Sequence, residues 1–321
     1  MDILRAAFYD LQRLFTIRIA LDGLELAAPP TTVFLYSHLQ STRLSRVGVL
    51  CGSFNPLTQA HVVLAQLARE RFHLQQVFFT LAKVTVDKEQ VSGMSLEDRL
   101  FLLSLLARRC EGLGIALVNR GLYFEQAQAF RSLLGEGTGV SLIVGMDKVF
   151  QILDPRYYQD RDAALGVLFR LASLIVANRG EMEEAALNTL LNKPENRSYR
   201  PYIRFFLLPA EVKDFSASEI RARLAASGQV EAEVPQEVSA FITETRVYRP
   251  PQQIDGEEVD AYSLRVRLFN LLYANRSWAE KEANFARLME VALSSTEKGC
   301  ALRALLRNPP AEDLISRLSA Y

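Results

Sequence analysis

"VGVLCGSFNPLTQAH", residues 47–61, leaves a short apolar run through Gly52, Asn55 and Pro56 and enters a segment of helical period. The run ending at Leu50 has the length and composition of a buried strand. Gly52 lets the chain turn sharply and lets a ligand approach the backbone. Thr58 and His61 fall in the first turn of the next helix, three residues apart and therefore on one face. A helix start carries unpaired N–H groups and the positive end of the helix dipole, which suits an anion such as phosphate. A plain surface turn has no need of a histidine there. The structural alternative is an interior histidine with a backbone partner, because His61 lies in line with Leu64, Ala65 and Ala68, the face turned to a sheet.

The same rhythm continues outward. Apolar runs near 46–51, 76–82, 114–119, 140–144, 172–177 and 203–208 read as buried strands, with helical periods between most of them. Two such periods are 59–72 and 95–109, the latter opening with Ser95 as N-cap and Asp98 three residues on. Strands alternating with helices predict an α/β fold, a doubly wound parallel sheet whose ligands bind at the carboxyl ends of its strands. Residues 2–21 place Leu4, Phe8, Leu11 and Phe15 on one helical stripe, which Pro29 and Pro30 interrupt. After residue 246, "RVYRPPQQIDGEE" reads as a polar linker, and 259–321 as successive helices without a strand. The expected layout is a helical N-terminal arm (1–45), an α/β domain (46–245) and a helical C-terminal region (246–321). Further apolar stripes at Leu264, Leu268, Leu271, Leu272 and at Phe285, Leu288, Val291, Ala292 also need cover. One helical layer would supply it, and a homo-oligomer interface is a second way to do so.

Composition narrows the partners. The 321 residues include 37 basic and 37 acidic side chains, a formal net charge of zero. A nucleic-acid polymer or an anionic membrane as main partner usually leaves a basic excess, so neither is expected. The three cysteines are far apart and form no C-x-x-C pair, as expected of a reduced, cytoplasmic chain. The charged N-terminus does not read as a signal peptide, and no apolar run is long enough to span a bilayer.

A second helix start, "FSASEIRARLAASG" at 215–228, follows the last strand. Ser216 and Glu219 match a capping box, and the serines would then only start a helix. Yet Ser216, Ser218 and Arg221 also bring two hydroxyls, free N–H groups and a guanidinium to one place, a set suited to a polyphosphate. Two such starts after strands of one parallel sheet are a stronger signal than either alone.

Together these stretches resemble the nucleotidyltransferase superfamily with the signature G-x-F-x-P-x-[HT]-x-x-H near the start and S-[ST]-x-I-R near the end. The chain is most similar to the nicotinamide/nicotinate mononucleotide adenylyltransferases. "GSFNPLTQAH" carries the first motif and "SASEIR" the second, with Ala217 in place of a second serine. "LIVGMDKV" (142–149) resembles the family's Gly-x-Asp segment, "DPRYYQDRD" (154–162) its Pro-x-x-Trp stretch with tyrosine for tryptophan, and "LIVANRG" (174–180) its strand ending in arginine and glycine. Thr58 stands where histidine is more common and Ala60 where glycine is, and "RGLYFEQAQAF" (120–130) occupies the place of the family's acceptor-side segment without matching it. The likeness covers about 46–245.

The resemblance implies a Rossmann-like nucleotidyltransferase that transfers an adenylyl group from ATP to nicotinamide or nicotinate mononucleotide and releases pyrophosphate. His61, with Thr58 beside it, would donate to the α-phosphate, and Arg221, Ser216 and Ser218 would hold the rest of the triphosphate. Gly52, Ser53, Phe54, Gly145, Asp147 and Arg179 would line the nucleotide site, with Asp147 on the ribose. Tyr157 and Tyr158 would meet the acceptor, and Lys83 or Lys88 is a candidate for an acceptor or leaving-group contact, with a solvated surface lysine as the alternative for each. Mg²⁺ would arrive with ATP, with no dedicated metal site. A phosphopantetheine or alcohol-phosphate acceptor, or a non-catalytic nucleotide sensor, are the competing readings.

Overall fold

In the computed structural model, which describes residues 3–37, 44–84, 93–178, 184–274, 283–309, 318 and 321, the six apolar runs are strands of one seven-stranded sheet. Its strands are β1 (Thr32–Tyr36), β2 (Arg46–Cys51), β3 (Gln76–Ala82), β4 (Leu113–Val118), β5 (Gly139–Gly145), β6 (Ala172–Ala177) and β7 (Ile203–Phe206). They lie in the order β1-β4-β3-β2-β5-β6-β7. Strands β2 to β7 pair in parallel. The winding reverses between β2 and β5, which opens a crevice at their carboxyl ends. This is a doubly wound, Rossmann-like sheet.

Both faces are buried, so each strand feeds two cores by alternation. Leu50, Val77, Phe79, Ile115, Ile143 and Ile175 enter one core, while Val49, Phe78, Ala116, Leu142, Val144 and Val176 enter the other. The second core is covered by α5 (Tyr123–Leu134), α6 (Met146–Leu153), α7 (Arg161–Leu171) and α8 (Glu184–Asn192). The first is covered by α3 (Gln59–Arg71), α4 (Leu96–Arg109), α9 (Ala217–Ala225) and α10 (Gln236–Thr245) together with both chain ends. Those ends are α1 (Ile3–Ala7) and α2 (Leu11–Asp22), and α11 (Ala261–Ala274), α12 (Ala283–Ala292) and α13 (Glu297–Arg307).

The apolar stripes of the two ends meet each other. Tyr9 sits edge-on to Phe285 and Phe15 to Tyr273, each at a ring separation of 5.4 Å, and Phe8 sits edge-on to Phe241 of α10 at 5.3 Å. At the centre of this layer, Arg265 pairs with Asp98 of α4 at 2.5 Å, each only 2% exposed. Arg265 also donates to the Phe8 carbonyl. Tyr262 donates to Asp98 at 2.7 Å and accepts from the Ser95 N–H at 2.7 Å. A buried pair left with one partner is strongly destabilising, so these bonds weld α11 to the start of α4.

Two segments differ from the sequence expectation. Residues 32–36, placed in a helical arm, form the edge strand β1, antiparallel to β4. Five residues are too few for a period to declare itself, and the strand depends on a remote anchor. Asn119, at the end of β4, accepts from the Thr31 N–H and donates to the carbonyls of Glu25, Ala28 and Pro29. The linker at 246–258 also contains structure: β8 (Gln252–Ile254) and β9 (Glu257–Val259) form a hairpin. Asp255 and Gly256 take φ of 52° and 79° at its turn, the left-handed pair that an Asp-Gly hairpin requires. The proline-rich approach conceals that signal.

Candidate active site

The crevice at the switch point holds a cavity of about 400 Å³. It is lined from the ends of β2, β3, β5 and β6 and from the starts of α3, α5, α6 and α9.

The β2–α3 loop is shaped by Phe54. This residue adopts φ 45°, strained for a bulky side chain. Its buried ring packs edge-on to Phe79 and to the His61 imidazole, at 5.3 and 5.2 Å. Gly52 is required beneath it, since a Cβ there would lie 2.8 Å from that ring. The loop backbone, with Gly52, Ser53 and Phe54, thus lines the cavity beside His61.

His61 has a defined orientation. Its Nδ1 accepts the Thr58 N–H at 3.1 Å, and the Thr58 hydroxyl lies 2.8 Å from the same atom. A ring nitrogen that accepts an N–H carries no proton of its own, so the ring proton sits on Nε2. Thr58 is fully buried and does not reach the cavity. Its expected contact with phosphate is therefore corrected: its hydroxyl is spent on His61, which it orients.

At the second helix start, Ser216 is the N-cap of α9 yet makes no side-chain capping bond. Its hydroxyl instead meets that of Ser218 at 2.8 Å. The capping-box alternative therefore fails, and the first-turn N–H groups have no side-chain cap. Ser218 and Arg221 line the cavity, with Ser216 one bond behind. Arg221 reaches across to the other start, donating to the Asn55 carbonyl at 2.5 Å.

Gly145 and Asp147, at the turn from β5 into α6, also line the cavity, as do Tyr157 and Tyr158. The Tyr158 hydroxyl is committed to the Ile152 carbonyl at 2.7 Å, and burial pushes its pKa up to about 12. Lys83 is a correction. Its ammonium donates to the carbonyls of Leu21 and Leu24 at 2.6 and 2.8 Å, at the end of α2, and it is not part of the lining. Cations are favoured at a helix C-terminus, where carbonyls lack partners. Arg179 and Lys88 lie outside the described residues.

Sequence reasoning missed several lining residues: Lys213, Lys148, Asn178, Tyr123 and Gln126. A lysine four residues before "ASEIR" was a usable signal for Lys213, since it stands just ahead of a helix start whose first-turn N–H groups have no side-chain cap. Asn178 gave none; its side-chain oxygen takes the Leu208 N–H at 2.6 Å and sets the chain leaving β7. Burial, followed by the nearby Cys51 and Asp147, holds the Tyr123 phenol well above its usual pKa. Lys148, Lys213 and Arg221 face a single carboxylate, Asp147, among the described lining residues. The cavity of a chain with zero net charge is therefore locally basic. Among the described residues no group of three or more His, Cys, Asp or Glu could hold a metal ion, and no helix is long and apolar enough to cross a membrane.

Residues 49–223, more than half of the chain, match the cytidylyltransferase-like family. A Synechococcus sp. (strain JA-3-3Ab) protein named as a probable nicotinate-nucleotide adenylyltransferase is 29% identical over 215 residues, 64% of this chain and 96% of its own length. A protein of the same name from Dictyoglomus thermophilum is 27% identical over 208 residues, 63% and 99% of the two chains. Among solved structures, Plasmodium falciparum nicotinic acid mononucleotide adenylyltransferase complexed with NaAD matches at TM-score 0.47 and 15% identity, over 64% of this chain and 97% of that one.

Proposed function

Since the chain belongs to the cytidylyltransferase-like family and is a nucleotidyltransferase, we propose that it transfers the adenylyl group of ATP to nicotinate or nicotinamide mononucleotide. One observation carries this reading: two helix starts with phosphate-binding chemistry, at Gln59 and Ala217, far apart in the chain, open on one basic cavity at the sheet's switch point. The names of its relatives favour the nicotinate acceptor. The transferase unit is assigned to residues 46–245, flanked by residues 1–45, which add the edge strand β1 to its sheet, and by residues 246–321, which open with the β8–β9 hairpin.

In the proposed reaction an oxygen of the acceptor's phosphate attacks the α-phosphorus of ATP. A P–O bond forms, the bond to the β-phosphate bridge oxygen breaks, and pyrophosphate leaves with the electron pair. No group on the protein need bond to the substrate, so catalysis rests on positioning and charge. The His61 Nε2–H donates to an α-phosphate oxygen as charge builds there. Arg221, Lys213, Ser218 and the α9 N–H groups hold the β- and γ-phosphates and the departing pyrophosphate. Mg²⁺ is part of the substrate, neutralising the triphosphate as it binds. Gly145 admits the adenosine close to the backbone, and Asp147 accepts from ribose hydroxyls. Tyr157, Tyr158 and Tyr123 form the apolar wall against which the acceptor's pyridine ring packs.

Incubation of the protein with Mg²⁺, ATP and each mononucleotide tests this by chromatography. One dinucleotide per pyrophosphate is the expected result. Turnover with phosphopantetheine or an alcohol phosphate instead would move the chain to another branch. ATP binding without turnover on any acceptor would favour a sensor.

A further inference from the structure

The phosphate loop is held in place by a residue from outside the segment that matches the family. Asn55, fully buried, lies between the two helix starts. Its backbone carbonyl receives Arg221 Nη1 at 2.5 Å. Its side-chain oxygen receives the Met94 N–H at 3.2 Å and, from the other side, the hydroxyl of Tyr248. Tyr248 belongs to the stretch between α10 and β8, beyond the last matched residue, 223.

The approach of Tyr248 is built in from both sides. Arg246 and Tyr248 both take left-handed φ, 58° and 69°. Such conformations are disfavoured for long side chains and persist only where the surroundings impose them. On the facing segment, Gly93 has φ 118°, and a Cβ there would come within 2.4 Å of the Tyr248 ring and 3.0 Å of the Asn55 side-chain oxygen. The pocket for the phenol therefore exists only with glycine at 93. Burial raises the pKa of Tyr248, so the phenol stays protonated and remains a donor. A second route runs in parallel. Arg99 of α4 donates to the Ser53 carbonyl at 2.9 Å, and the start of α4 is the point gripped by Tyr262 and Arg265.

We propose that Tyr248 is a positioning residue for the transferase site, holding Asn55 so that the phosphate loop and the Arg221 guanidinium keep their mutual register. The C-terminal region thereby becomes part of the catalytic apparatus without touching substrate. Without the phenol, the buried Asn55 oxygen loses a partner, the loop gains alternative positions, and Arg221 loses a fixed carbonyl to bind. The kinetic part of the following test rests on the function proposed above; the structural part does not.

Tyr248→Phe in the full chain removes one oxygen and keeps the ring. Amide hydrogen exchange should accelerate about tenfold at residues 52–55, 57 and 93–95, while β3 and β4 keep wild-type protection. With ATP as varied substrate, KM should rise roughly five- to tenfold and kcat fall less. Adding Tyr248→Phe to Arg221→Lys should cost less than it does alone, because both act on one contact. Gly93→Ala, which displaces the ring sterically, should give the same loop-confined exchange if Tyr248→Phe folds poorly. Unchanged loop exchange, or a loss that follows the melting temperature with no rise in KM for ATP, would overturn the proposal. If wild-type protein shows no turnover but the exchange pattern is as expected, the proposed reaction fails and the positioning role stands.

Discussion

The helix starts of α3 and α9 face one cavity but are built in opposite ways. The first is interior: Thr58, Asn55 and Phe54 are buried, Thr58 bonding and Phe54 packing against His61 while Asn55 takes the Met94 N–H and the Tyr248 hydroxyl. The second is open: Ser218 is exposed, its hydroxyl pairs with that of Ser216, and the helix has no side-chain cap. The difference matches the roles proposed for the two starts. A donor aimed at the reacting phosphorus gains from preorganisation, which costs nothing at the moment of reaction. A site that must take in a triphosphate and let pyrophosphate go needs access and hydration. Arg221 joins the two, with its backbone in the open start and its guanidinium on the closed one.

The largest test of this contrast is His61→Ala. It removes the preorganised donor and should lower kcat by roughly 10²–10³, with the fold intact by circular dichroism. Near-normal kcat would return His61 to the role of a packed interior residue. Next is Arg221→Lys, which keeps the charge but cannot both hold the Asn55 carbonyl and face phosphate. The KM for ATP should rise about tenfold, measured in the same assay. Thr58→Val leaves the N–H bond to Nδ1 and removes only the hydroxyl. A loss of about three- to tenfold in kcat, with KM for ATP unchanged, is expected. A shift in KM instead would put Thr58 on the substrate after all. The smallest effect is expected at Lys83→Met. Its ammonium caps carbonyls at the end of α2, so the melting temperature should fall by a few degrees, about 1 kcal/mol, and kcat/KM should not move.

The limits of the sequence follow the same division between local and remote causes. The six parallel-sheet strands and both helix starts were legible because their signals are contiguous: an apolar run, a glycine, then a capping residue and a helical period. For that reason His61, Arg221, Gly145 and Asp147 could be expected at the carboxyl ends of the strands, where they line the cavity. The contacts of Lys83 could not be read because its partners are 59 and 62 residues away, on a helix end that its own neighbourhood does not reveal. Thr58 was correctly put beside His61, but spacing on a helix face does not say which of two polar groups meets solvent. The strand β1 depends on Asn119, 88 residues from Thr31. Tyr248 acts on a residue 193 positions earlier. No local pattern contains such contacts, and the fold creates them.

The central claim is that both helix starts serve one nucleotide. A crystal structure of the protein with a non-hydrolysable ATP analogue and Mg²⁺ tests it most directly. The account predicts the α-phosphate within hydrogen-bond distance of His61 Nε2, the terminal phosphates against the α9 N–H groups and Arg221, and the ribose beside Asp147. A triphosphate bound at one helix start alone, with His61 or Arg221 remote from every phosphate oxygen, would contradict it.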